Sequence, residues 1–126
     1  MPLVAIFVCV GCKSGHSIVG TWSVVSYSQK ETHTYRSDGT FEWHFHQQNS
    51  RGPFDMYLRG TYTADDKTLT VTVTKAHSEG AGGRIRDRDL TPHPEKLDLT
   101  WVDNDHVIGT DNGPQHDSVD YTRVKS

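Results

Sequence analysis

Two histidines set two positions apart, His44 and His46, are the residues of this chain whose types and spacing best suit chemistry. On an extended segment they project to the same side, where their ring nitrogens can share one zinc or copper ion. Glu42 and Gln48 fall on that face too, and His33, across the turn at Asp38-Gly39, is the natural third ligand. The same segment carries Phe41, Trp43 and Phe45 on its opposite face. If those rings line a core, His44 and His46 look out to water and the metal site dissolves into a solvated surface. His77, His93, His106 and His116 are scattered through turns and strand ends, and as a group they make surface charge sensitive between about pH 5 and 7. The run Arg84-Ile85-Arg86-Asp87-Arg88-Asp89 reads as a solvated, self-paired loop, with an acid/base pair or an anion clamp as the sharper alternatives. No G-x-S-x-G, H-E-x-x-H or phosphate-cradling glycine loop occurs. No spacing singles out a catalytic set or a cofactor, and the expectation is a non-catalytic protein.

The elements that must position these residues are almost all strand and turn. The alternation predicts eight short strands in a meander: Gly20 to Gln29, Thr32 to Arg36, Thr40 to Gln48, Met56 to Thr63, Thr68 to Lys75, Lys96 to Val102, His106 to Thr110 and Ser118 to Val124. Thr68 to Lys75 is the cleanest, with Leu69, Val71 and Val73 on one face and four threonines on the other. Ser37-Asp38-Gly39 is a hairpin signal, and Asn49 to Pro53 is a loop by composition. His77 to Glu95, with its glycines, charges and prolines, reads as one long irregular piece, of the kind that carries function.

Such a meander makes a sandwich or a closed barrel. The opening strand places Trp22 and Val24 on one face, and the last places Val119, Tyr121 and Arg123 on one face. An arginine among inward apolar residues needs a partner, because an unpaired buried charge is costly. Stacking on Trp22, with bonds to backbone carbonyls at the barrel mouth, supplies it. The two ends of the domain then become neighbours, as closure requires. With Trp22, Phe41, Trp43, Phe45, Tyr62 and Trp101 turned inward, the interior is either filled or holds one small ligand.

Gly20-Thr21-Trp22, Asp38-Gly39-Thr40-Phe41, Gly60-Thr61-Tyr62 and Tyr121-Thr122-Arg123, in that order, resemble the phrases of the lipocalin-like (calycin superfamily) domains of bacterial lipoproteins. The resemblance covers roughly Ile18 to Val124. It implies an eight-stranded antiparallel up-and-down barrel and a small apolar ligand; the chain is shorter than the larger lipocalins and lacks their C-terminal helix.

The 126 residues amount to one domain with an N-terminal appendage. Apolar residues are only 33%, enough for strands with one buried face, and a net charge of −3 without a long basic run argues against a nucleic-acid partner. Pro2 to Val10 is apolar and too short to span a bilayer as a helix. It suits a signal-peptide core, and Gly11 before Cys12 resembles the lipobox of bacterial lipoproteins. The division expected is a signal peptide over residues 1–12, lipidated at Cys12, a tether over 13–17 and a barrel domain over 18–126. The absence of a basic stretch ahead of the apolar run suggests a start upstream of Met1. An ordinary strand over Leu3 to Val10, and a redox or zinc pair of Cys9 with Cys12, are the other readings of this stretch. The whole is then a monomeric, membrane-anchored, extracytoplasmic lipoprotein that binds a small apolar ligand or an envelope protein. The alternative is a metal-binding protein or metalloenzyme built on His44 and His46.

Overall fold

A computed structural model describes residues 16–24, 30–80, 85–111, 113 and 117–125. Cys9, Cys12 and His116 lie outside the described residues, as do positions 25–29 of the expected first strand. The strands are β1 (Gly20–Val24), β2 (Lys30–Tyr35), β3 (Thr40–Asn49), β4 (Gly52–Ala64), β5 (Thr68–Gly80), β6 (Arg86–Asp103), β7 (His106–Asp111) and β8 (Ser118–Arg123). Each pairs antiparallel with the next, and β1 pairs with β8 to close the barrel.

Closure rests on Trp22. Its partner across the β1–β8 seam is Arg123, whose guanidinium lies 4.3 Å from the centre of the Trp22 ring. Arg123 also donates to the carbonyls of Ser17, Val19 and Asn104 and to the carboxylate of Asp105. Trp22 has no exposed surface, and its indole N–H donates to the carbonyl of Ile18 at 2.8 Å. Gly20 must be glycine here: its φ is +134°, and a Cβ would sit 2.7 Å from Arg123 Nη1.

The period of two places Leu69 and Val71 in the core, while Thr68, Thr70 and Thr72 stay half-buried. Tyr35, Phe41, Val107 and Tyr121 complete a packed lower half, so the filled interior holds at that end. The turns at 36–39, 65–67 and 104–105 sit with Trp22 at this closed end, and the 50–51 connection, the end of β5 and the start of β6 lie at the other, open end.

Strand length is where the sequence reading is corrected. His77 to Glu95 is not an irregular piece: β5 runs on to Gly80 and β6 starts at Arg86, pairing Lys75 with Asp89, Ala76 with Arg88, His77 with Asp87 and Ser78 with Arg86. Asn49 to Pro53 likewise shrinks to a two-residue turn, with Pro53 paired to Gln48 inside the hairpin. A bulge takes up the awkward residues, Thr74 alone lying opposite Leu90, Thr91 and Pro92. At a second bulge β4 and β5 come so close that a Cβ on Gly60 would lie 1.9 Å from the Thr72 carbonyl oxygen. β4 and β5 have 13 residues each and β6 has 18, against 5 or 6 for β1, β2, β7 and β8. At about 3.3 Å per residue, these strands and the end of β3 outrun the barrel and form a wing beyond its open end.

Candidate functional site

Lys30–Tyr35 carries Glu31, His33 and Tyr35 at alternate positions, hence on one face. Pairing sets His33 opposite Trp22 on one side and Trp43 on the other, so this face is the barrel interior. The expected grouping of His33 with His44 and His46 is therefore overturned. Across β2–β3 the partner of His44 is Thr32, and His33 lies on the other side of the sheet.

Inside, His33 is 3% exposed and its ring stacks on Trp43 at 4.5 Å. Nε2 lies 2.6 Å from a carboxylate oxygen of Glu31, and Nδ1 lies 2.8 Å from the hydroxyl of Tyr121. The hydroxyls of Tyr35 and Tyr121 are 3.2 Å apart, and the Trp43 indole N–H donates to Tyr35 at 3.0 Å. Burial pushes the His33 imidazole below its ordinary value, against the pull of Glu31. Burial pushes both phenols up. A neutral imidazole offers one N–H and one lone pair, and at Nδ1 the 2.8 Å contact with Tyr121 is favoured over the 3.4 Å one with Tyr35, which sets the directions. Trp43 donates to Tyr35, Tyr35 to Tyr121, Tyr121 to Nδ1 of His33, and Nε2–H of His33 to Glu31. The chain is saturated, and among the described residues no buried side-chain nitrogen or oxygen lacks a partner. Protonating His33 makes Nδ1 a donor and reverses the phenols, leaving the Tyr35 proton without an acceptor in the chain.

His44 and His46 lie on the outer face, the solvated alternative. His44 Nε2 and His46 Nδ1 both meet Asp55 Oδ1 at 2.8 Å, and His44 stacks on Tyr57 at 4.4 Å. The bond from His46, then that from His44, holds the Asp55 carboxyl below its usual range. Farther along this face His77 sits between Glu79 and Asp87, which raise its pKa, Glu79 most. Of the other histidines, His106 bonds Asp120 and His93 is exposed opposite Val73. Among the described residues no group of three or more histidines, cysteines or carboxylates is arranged to hold a metal ion.

The wing sorts its charges. Arg86 and Arg88 fall on the face that continues the barrel interior, Asp87 and Asp89 on the outer face, so the expected self-paired loop is replaced by a strand with two differently charged sides. Opposite the arginines stand only Ser78 and Ala76. With Met56, Leu58 and Leu90 they line a concavity of about 290 Å³ at the mouth. A second hollow of about 310 Å³ opens at the same bulge, lined by Arg59, Lys75, His77, Asp87 and Asp89 with Arg88. No ion pair reaches Arg86 or Arg88 among the described residues. Sequence reasoning missed Glu31, Tyr35 and Tyr121 as partners of a buried histidine, and the inward arginines. Comparison with protein-family models, with curated proteins and with solved structures finds no match to this chain.

Proposed function

We propose that this is a non-catalytic binding protein of the cell envelope, tethered through Cys12, whose barrel mouth takes a small apolar molecule bearing an acidic group. The observation that carries the reading is the mouth concavity of about 290 Å³, in which Met56, Leu58 and Leu90 offer apolar surface beside Arg86 and Arg88, which have no carboxylate partner among the described residues. Pockets for small molecules are mostly apolar with a few well-placed polar groups, and this one stands at the small end of their range. Arginine is suited to oxyanions because its planar fork donates two parallel bonds. The tether follows from Gly11-Cys12 in the sequence. The chain joins the barrel at the closed end, where Arg123 grips Ser17 and Val19, so a membrane anchor would leave the mouth facing away from the lipid.

The test is a fluorescence titration with anilinonaphthalenesulfonate, an apolar dye with one sulfonate. Saturable binding by the native protein is expected, with near-ultraviolet circular dichroism unchanged. Arg86→Ala/Arg88→Ala should weaken it at least about tenfold, since one hydrogen bond to a charged group contributes about 1.5–3 kcal/mol. No saturable binding, or equal binding by the variant, overturns the reading.

A further inference from the structure

A second interaction surface adjoins the mouth and shares Arg86 and Arg88 with it. Neighbouring β7 covers only Leu97–Asp103 of β6, so among the described residues the Arg86–Lys96 stretch has β5 on one side and no strand on the other. Such an edge presents backbone N–H and C=O groups to any extended chain that fits. Pro92 and Pro94 lack an N–H and interrupt that row, which confines pairing to Arg86–Leu90.

Charge decides what can pair there. In an antiparallel sheet, directly opposed residues share a face. When two copies of the edge meet about a two-fold axis, the sorted faces therefore oppose like with like. With the axis at Asp87, that residue meets its own copy and Arg86 meets Arg88. Shifted to Arg88, the axis sets Arg88 against itself and Asp87 against Asp89. Like charges in direct opposition are destabilising, so the edge repels its own kind. A strand of the reciprocal pattern meets the opposite situation: acids opposite Arg86 and Arg88, bases opposite Asp87 and Asp89. The need is greatest on the inner side, where Ser78 and Ala76 leave the arginines uncompensated, whereas Asp87 already bonds His77.

We propose that the free edge of β6 over Arg86–Leu90 docks an extended segment of another protein as an added strand, one whose side chains alternate acidic toward the mouth and basic toward the outside. The site needs no molecule in the mouth.

The probe is a fluorescein-labelled six-residue peptide of alternating glutamate and lysine between terminal threonines. Its control has the same composition in two blocks, read by anisotropy at low ionic strength. The alternating peptide should bind saturably, at least about tenfold more tightly than the block control, since half of the charges of the control face the wrong partner. Asp87→Lys/Asp89→Lys gives the alternating peptide as many repulsive as attractive pairs and should weaken it about tenfold. The dye should still bind that variant saturably and no more weakly than it binds the wild type, since added positive charge favours a sulfonate, so loss of the strand site and failure of the mouth site are read separately. On the unmodified protein, the peptide should slow amide hydrogen exchange within Arg86–Leu90. Equal binding of both peptides, an unaffected double variant, or no protection of these amides overturns the proposal.

Discussion

Replacing His33 with glutamine tests the buried chain of hydrogen bonds through its dependence on pH. Glutamine also brings a donor and an acceptor, but it gives up the stack on Trp43 and cannot reach Glu31 and Tyr121 with the same geometry. An aromatic pair is worth about 0.5–1.5 kcal/mol beyond burial, and each hydrogen bond a similar amount. The variant should therefore be about 2–3 kcal/mol less stable near pH 8, where the wild-type imidazole is neutral both folded and unfolded. Acidification changes this. The unfolded imidazole titrates near 6.5, and the folded one lies lower because burial disfavours its charge. Between those values the unfolded chain holds the extra proton, so wild-type stability falls as pH drops through 6.5. The slope reaches about 1.4 kcal/mol per pH unit for one proton, and it levels off below the folded value. Glutamine does not titrate. The gap between the two proteins should thus shrink as pH falls through 6.5, by no more than about 1.4 kcal/mol per pH unit, until the folded value is passed. His77 works in the opposite sense, since Glu79 and then Asp87 raise its folded pKa. Its contribution is full below 6.5 and fades as pH rises through the folded value; both proteins carry it, and it cancels in the difference. The assay is urea unfolding followed by tryptophan fluorescence, on both proteins across the pH range. A gap that stays constant from pH 8 to pH 5 would refute the neutral, saturated chain.

Two further outcomes follow, one from the closed end and one from the proposed tether. Trp22→Ala should cost about 3–5 kcal/mol in the same unfolding assay, because a fully buried ring is removed from beneath Arg123; a loss under about 1 kcal/mol would contradict its burial. Cys12→Ser should move the protein from the membrane fraction to the soluble fraction of fractionated cells, and continued retention on membranes would rule out the lipid tether.

The barrel and its seam could be read from the sequence because Trp22, Tyr121 and the Leu69–Val71 alternation each mark one buried face, and a period of two survives wherever only one face is buried. The wing escaped for the converse reason. Both of its faces touch solvent, so Arg86 to Asp89 shows charge on every position and no apolar period. His33 escaped because its strand reads Lys-Glu-Thr-His-Thr-Tyr, with inward positions as polar as the outward ones. A signal was nevertheless there. Tyr35 and Phe41 flank the Asp38-Gly39 turn, and pairing those two rings inward sets His33 opposite Trp43 by counting alone. His44 and His46 were placed correctly once Phe41 and Trp43 were given the core, and what stayed hidden was Asp55, eleven residues from His44, as the acceptor they share.

The grip of Arg123 on the carbonyls of Ser17 and Val19 has a mechanical consequence. A pull that reaches Ser17 passes through that guanidinium into β8 as well as along the chain into β1. β1 is flanked on both sides, by β2 and β8, so its ladders must slip together rather than peel one bond at a time. A load arriving at Ser17 is thereby shared by the two strands that close the barrel.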